Sequence, residues 1–305
     1  MSSPQETLKH TDKPASYFVP ESSPWPIMGS FILFVLVIGA GNTIQNHSLS
    51  GIAANSGHLN FLLPIGLCGV FLLMYLWFRD TIRESLGNKN SAQMDISYRQ
   101  GMTWFIFSEV MFFAAFFGAL FYSRVLSVPW LGGEGKGMMT HELLWPQFQA
   151  LWPLVKMPSG NVTHAMSPWG LPFLNTVILL TSSVTLTIAH HALLVGDRRR
   201  QLGFLAVTAM LGVIFLGCQA FEYHHAYTEM GLTLQSGMYG STFFMLTGFH
   251  GLHVTIGTIM LIVMTLRTLK GHLTPGNHFA FEAAAWYWHF VDVVWLFLFV
   301  VVYWL

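Results

Sequence analysis

The chain has 305 residues, of which 53% are hydrophobic and only 9% are charged, and its formal net charge at pH 7 is zero. Soluble domains carry about 25% charged residues, so this composition excludes an ordinary soluble fold and predicts an all-α polytopic membrane protein. A net charge of zero provides no electrostatic attraction for nucleic acid, and we expect no nucleic-acid partner.

Seven stretches are long and apolar enough to cross a bilayer, which takes about 20 residues as a helix. They are Ile27–Ile44, Phe61–Phe78, Met102–Tyr122, Leu171–Ile188, Leu202–Phe221, Phe243–Leu266 and Ala283–Leu305. We therefore predict one seven-helix transmembrane domain over residues 26–305, with a long outer loop over residues 124–168. Residues 1–25 form a polar tail that lacks the basic-then-apolar pattern of a cleaved signal peptide.

The basic residues predict the orientation, because Lys and Arg concentrate in segments that stay inside. With the N-terminus inside, the outer segments carry only Arg124, Lys136 and Lys156. The inner segments carry the rest: Lys9, Lys13, Arg79, Arg83, Lys89, Arg99, Arg198, Arg199, Arg200, Arg267 and Lys270. The sequence thus predicts an inner N-terminus and an outer C-terminus.

Two further patterns concern packing and anchoring. Aromatic residues near the ends of spans are typical interfacial anchors, and we assign Trp25, Trp77, Tyr303 and Trp304 to this role. The fourth and sixth spans are rich in Ser, Thr and Gly, which lets helices approach closely and form hydrogen bonds with one another.

Ionisable residues within the spans are candidate functional groups. Glu109, His250 and Asp292 are expected at similar depths in the inner half of the membrane, and His289 lies three residues before Asp292, on the same helical face. Each group could act in function or could be satisfied by a neighbouring helix and lock the bundle. The phenylalanines that follow Glu109 offer its carboxyl no partner.

Two alternative functions are left open, and histidine pairs suggest the first of them. His190–His191 and His224–His225 resemble the clusters of membrane di-iron desaturases and hydroxylases. The two pairs are predicted at opposite membrane faces, about 30 Å apart, so they cannot share one metal, and we expect no metal site and no catalytic residue in this chain. A proton or solute transporter is the other alternative, suggested by the intramembrane carboxyls Glu109 and Asp292.

Basic and aromatic residues also gather where two spans end at the inner face. The second span ends with Trp77 and Arg79, followed by Arg83 and Glu84, and the sixth ends with Arg267. These residues could simply orient the chain, or they could bind the phosphate of an anionic phospholipid.

Several motifs occur in order along the spans. They are Ser23-Pro24-Trp25-Pro26, Trp77-Phe78-Arg79-Asp80, Ile82-Arg83-Glu84-Ser85, Phe107-Ser108-Glu109-Val110, Leu174-Asn175-Thr176, His190-His191, Gln219 with Glu222-Tyr223, Thr247-Gly248-Phe249-His250-Gly251-Leu252-His253-Val254, and the run from Phe281 to Trp295. From Ser23 to its C-terminus the chain resembles subunit III of the haem-copper cytochrome c oxidases, the aa3-type, seven-helix form.

This resemblance implies an accessory subunit without redox centres, docked on subunit I, with subunit II as a further partner and with haem and copper in the partner subunits. It implies a V of two and five helices whose cleft holds phospholipid, with Glu109 beside the cleft, Arg79, Arg83 and Arg267 near headgroups, and a role in proton uptake. The outer loop is longer than in mitochondrial forms, which together with the chain length favours a bacterial inner (plasma) membrane over the mitochondrial inner membrane.

Overall fold

A computed structural model of the chain describes residues 22–49, 61–87, 91–157 and 162–305. Within these ranges seven helices are long and apolar enough to cross a membrane, and no strand is present apart from two isolated bridges. We number the helices α1 (Trp25–Leu49), α2 (Leu62–Leu86), α3 (Ala92–Tyr122), α4 (Leu171–Leu194), α5 (Arg198–Thr228), α6 (Met238–Leu269) and α7 (Phe279–Leu298). The predicted all-α, seven-span fold is therefore confirmed. Most of the predicted polar tail, residues 1–21, lies outside the described ranges.

Several helices extend beyond the apolar windows that predicted them. α3 begins at Ala92 rather than at Met102, and α5 and α6 contain 31 and 32 residues. Backbone hydrogen bonding continues through polar residues, whereas a hydropathy window ends where the side chains become polar. The windows therefore located the spans but not their ends.

The chain divides into two compact units, residues 1–97 and 98–305. In the first unit α1 and α2 form a helical hairpin. A Cβ atom added at Gly66 would lie 2.6 Å from Leu36 Cα, a distance that real side chains do not reach. Glycine is therefore needed where these two helix backbones meet, as in other small-residue contacts between membrane helices.

The second unit has its core where α4 to α7 pack together. The largest fully buried side chains are Trp288 and Trp295 of α7. Trp288 Nε1 donates to Ser182 Oγ at 2.9 Å, and Trp295 Nε1 donates to Thr176 Oγ1 at 3.0 Å. The prediction that the hydroxyl-rich fourth span supplies hydrogen bonds between helices is confirmed at these two positions.

The predicted outer loop begins later than expected. The helical path continues after Tyr122 as a π-helical turn, Ser123–Ser127, and then as the short helix Val128–Leu131. A further short helix covers Met138–Leu144, and the Arg124 guanidinium lies 5.7 Å from the centre of the Trp152 ring. Much of the segment predicted as a loop is therefore locally ordered.

Candidate functional site

Glu109 in α3 has a specific partner in α6. Its Oε2 atom lies 2.8 Å from Nε2 of His253, a residue 144 positions away in the sequence. The side chains are mostly buried, with exposed fractions of 21% for Glu109 and 10% for His253. The residues next to Glu109 in the sequence offer its carboxyl no partner, and His253 could not be recognised from them because the contact joins two distant helices.

The hydrogen bonds of His253 determine how many protons the pair holds. Its Nδ1 atom lies 2.6 Å from the carbonyl oxygen of Phe249, which can only accept, so Nδ1 carries a hydrogen. The contact between Nε2 and Glu109 must then contain a second proton, located on either atom. In both arrangements the two side chains together have a net charge of zero, which suits a weakly polar environment.

Aromatic rings surround this Glu109–His253 pair. The Phe113 ring lies 5.0 Å from the His253 ring, and the Tyr287 ring stacks on it at 6.3 Å with an angle of 19° between the planes. Phe112 contacts both His253 and Phe249. The phenylalanines after Glu109 thus form an apolar wall around a polar contact, which strengthens the contact by excluding water.

The three other predicted intramembrane polar residues do not form one network of side-chain hydrogen bonds. The buried His250 contacts the Val291 carbonyl through Nε2 at 3.2 Å, and its Nδ1 has no partner among the described residues. His289 Nδ1 bonds with Ser183 Oγ at 2.6 Å and lies 3.8 Å from Asp292 Oδ2, beyond hydrogen-bond length. His289 and Asp292 therefore share a helical face as predicted, while His250 is held separately.

The predicted headgroup residues of the first unit lie along the end of α2. Trp77, Arg79, Arg83 and Glu84 are all exposed. Asp80 lies between the two arginines, with its Oδ1 atom 3.5 Å from Arg79 Nε and 3.5 Å from Arg83 Nη1. Exposed ion pairs of this length contribute little stability, so both guanidinium groups remain accessible to a ligand.

Arg267, in the last turn of α6, is in a different environment. It is only 6% exposed, and its Nε atom has no hydrogen-bond partner among the described residues. A buried guanidinium N–H without an acceptor is energetically unfavourable, so it is a natural position for an anionic ligand atom.

Another buried carboxyl, that of Glu222, lies near the opposite end of the bundle, where α5 and α7 end. Tyr303 is 6% exposed, and its hydroxyl donates to Glu222 Oε1 at 2.6 Å. Our assignment of Tyr303 as an interfacial anchor is therefore wrong, because its ring is buried and its hydroxyl has an internal partner. Glu222 also lines a cavity of about 240 Å³ together with His225, Met166 and Trp169.

The histidine pairs are separated as the sequence predicted. α4 ends just after His190 and His191, α5 begins close by at Arg198, and His224 lies 26 residues further along α5. At 1.5 Å per residue the separation is roughly 40 Å, so the two pairs cannot bind one metal ion. Among the described residues, one group could hold a metal: His190 with His278 and Glu282. This group was not predicted from the histidine pairs, because two of its members, His278 and Glu282, lie outside them.

Comparison with known proteins assigns the chain to a family. The family model described as cytochrome c oxidase subunit III matches residues 15–305. The chain is similar to cytochrome c oxidase subunit 3 of Arabidopsis thaliana, with 43% identity over 95% of this chain and 96% of the relative. It is also similar to cytochrome c oxidase subunit 3 of Bos taurus, with 44% identity over 96% of this chain and 98% of the relative. The chain therefore belongs to the cytochrome c oxidase subunit III family.

Proposed function

We propose that this chain, a non-catalytic accessory subunit of cytochrome c oxidase, docks on subunit I in a complex with subunit II, binds phospholipid and supports proton uptake. The complex transfers electrons from cytochrome c to oxygen, forms water and pumps protons, with its haem and copper in partner subunits. Family membership over residues 15–305 carries the proposal. The comparisons support neither a desaturase or hydroxylase nor an independent transporter.

Docking can be tested by affinity purification of the tagged chain in a mild detergent. We expect subunits I and II to copurify, together with the optical bands of haem. After the chain has been stripped from the complex, those bands should remain with the partners. Recovery of the chain without any partner, or with a redox centre of its own, would contradict the proposal.

Phospholipid binding by the second unit is proposed from Arg267. Its buried guanidinium has an N–H group without an acceptor among the described residues, and a lipid phosphate would supply that acceptor. The position in the last turn of a spanning helix suits a headgroup, because such turns lie at the polar boundary of the bilayer.

A separate headgroup site is proposed for the first unit, at the end of α2. The exposed Arg79 and Arg83 would contact the phosphate, and Trp77 would anchor at the interface. Glu84 adds a negative charge there, which would favour headgroups that also carry an amine.

Mass spectrometry of the intact complex tests the lipid proposal. We expect Arg267→Gln to release at least one anionic phospholipid that the wild-type complex retains. Lys270→Gln is the matched control, because it removes the same charge from an exposed position three residues away. Equal retention of lipid by wild type and Arg267→Gln would refute the Arg267 site, and the same comparison with Arg79→Gln tests the α2 site.

Proton supply is assigned to the Glu109–His253 pair. The pair contains a proton that can reside on either residue, within an otherwise apolar part of the bundle. We infer that it assists proton delivery to subunit I indirectly and takes no part in oxygen reduction.

We also infer that the complex resides in a bacterial inner (plasma) membrane, with the mitochondrial inner membrane as the alternative. The length of the chain and of the segment at residues 124–168 supports the bacterial location, whereas the similarity to plant and mammalian proteins supports the alternative. Membrane fractionation of the source cells, followed by detection of the chain, distinguishes the two.

A further inference from the structure

Three potential metal ligands meet at the membrane face where α4 ends and α7 begins. His190 lies in the last turns of α4, His278 directly precedes α7, and Glu282 lies in the first turn of α7. One ligand atom from each residue lies within 4.8 Å of the other two. The three residues come from separate parts of the chain, so the fold itself assembles the cluster.

The types and spacing of these atoms suit zinc. Two imidazoles and one carboxylate form a common protein ligand set for Zn²⁺, with a fourth position left for water. At the usual metal–ligand lengths, the ligand atoms around a tetrahedral zinc ion are roughly 3.4 Å apart. His278 Nε2 and Glu282 Oε1 are already 3.2 Å apart, so only a small side-chain rotation of His190 would complete the set.

Arg99 of α3 supports the cluster from outside. Its Nε and Nη2 atoms lie 2.9 Å and 2.7 Å from Glu282 Oε2. The other carboxylate oxygen, Oε1, is directed towards His278. Metal-binding carboxylates are usually held by such hydrogen bonds to their second oxygen, which fix the ligand atom in place.

An independent observation points to a missing ligand. His190 Nε2 is buried and has no hydrogen-bond partner among the described residues. The His190 ring is held on one side by the Phe281 ring at 5.3 Å and lies 6.1 Å from the His278 ring. A buried ring nitrogen without a partner is costly, and a cation bound there would remove that cost.

We propose that His190, His278 and Glu282 form a binding site for a divalent cation of the Zn²⁺ class. The bound ion would link the end of α4 to the start of α7. Zinc has no redox chemistry, so the site is compatible with an accessory subunit that transfers no electrons. This proposal is independent of the proposed lipid and proton roles.

The zinc content of the assembled oxidase provides the first test. A variant of His190 is compared with a variant of the adjacent His191, which serves as the control. The complex is treated with a chelator, exchanged into chelator-free buffer, incubated with Zn²⁺ and measured by elemental mass spectrometry. We expect His190→Phe, which preserves an aromatic ring, to lower the zinc content by one ion per complex. His191→Phe should bind as much as wild type, because His191 is exposed and outside the cluster. Equal zinc in wild type and His190→Phe would overturn the proposal.

A second measurement uses only the wild-type complex, so it decides even where a variant fails to assemble. Exchange of the imidazole C2 hydrogen for deuterium, located by mass spectrometry, reports on each histidine without requiring exposed ring nitrogens. Zn²⁺ should slow this exchange at His278 and His190 at least tenfold while leaving His191 unchanged. Unchanged exchange at His278 in the presence of saturating Zn²⁺ would refute the site, whatever zinc is bound elsewhere in the complex.

Discussion

Glu109 and His253, 144 residues apart in the sequence, are joined by a 2.8 Å hydrogen bond between α3 and α6. The bond explains how a carboxyl can be accommodated in a phenylalanine-rich span. His253 also contacts the Phe249 carbonyl, so the two side chains share one proton between them and remain neutral together.

The first prediction concerns this pair. Glu109→Gln should leave haem content and the initial rate of oxygen reduction within about twofold of wild type, because the amide can still donate to His253 Nε2 and the chain holds no redox step. Proton uptake should decline instead. Oxygen consumption by vesicles that contain the complex measures the rate of oxygen reduction, and the pH change of the medium measures proton transfer. Immediate loss of turnover in a fully assembled Glu109→Gln complex would contradict the assignment.

His253→Phe provides the complementary variant. It leaves the Glu109 carboxyl without its partner among aromatic rings, and a buried polar group that loses its partner typically costs about 1–3 kcal/mol. We expect the His253→Phe chain to dissociate from the complex at a lower temperature than the Glu109→Gln chain. The double variant Glu109→Gln with His253→Phe should recover part of the loss, since it no longer buries an unpaired carboxyl. A double variant as unstable as the sum of the two would show that the contact is not coupled.

A second prediction concerns the bond between Trp295 and Thr176. Thr176→Val removes the acceptor for a fully buried indole N–H and should lower the free energy of unfolding by about 1–3 kcal/mol. Thr181→Val is the matched control on α4, because the Thr181 hydroxyl is exposed and donates to the Val177 carbonyl of its own helix. Denaturation of the detergent-solubilised chain, followed by tryptophan fluorescence, measures both. Equal losses for both variants would contradict the hydrogen bond.

The third prediction tests the buried Tyr303. Tyr303→Phe removes the hydroxyl that donates to Glu222 Oε1, and the other oxygen of Glu222 has no partner among the described residues. We expect a loss of about 1–3 kcal/mol in the free energy of unfolding. Tyr75→Phe should have almost no effect, because Tyr75 is 66% exposed on α2. If Tyr303 acted only as an interfacial anchor, the two variants would behave alike.

The fourth prediction concerns orientation, which rests on the distribution of basic residues. Lys136→Cys should react in intact cells with a membrane-impermeant maleimide, and Lys270→Cys should react only after the cells are permeabilised. Both variants are compared in a background in which Cys68 and Cys218, the two free cysteines, are replaced by serine. The reverse pattern of labelling would place the N-terminus outside.

Features that depend on residues close together in the sequence could be predicted from the sequence alone, whereas contacts between distant helices could not. Spans follow from local composition, so all seven were found. The hydroxyl-rich α4 indicated hydrogen bonds between helices, but only the structure identifies Trp288 and Trp295 as the donors. The individual Glu109–His253 contact depends on which faces of α3 and α6 meet, and hydropathy does not carry this information. The only signal was the presence of both residues within apolar windows.

Misassignments arose where residue type was interpreted without its neighbours. Tyr303 lies near the end of a span, as interfacial anchors do, but its hydroxyl turns inward to Glu222. The signal for an internal partner was Glu222, which directly follows the predicted fifth span and is a carboxyl that requires a hydrogen-bond donor. His190 was assessed with His191 because they are adjacent, although its spatial neighbours are His278 and Phe281.

The lengths of α5 and α6 have a consequence for where chemistry can occur. Helices of 31 and 32 residues measure roughly 47 Å, whereas the hydrocarbon layer is about 30 Å thick. Each helix therefore continues through the headgroup layer at its ends. Arg267, in the last turn of α6, can thus meet a lipid headgroup without opening the bundle, while His253, deeper in the same helix, lies in its hydrocarbon-spanning part.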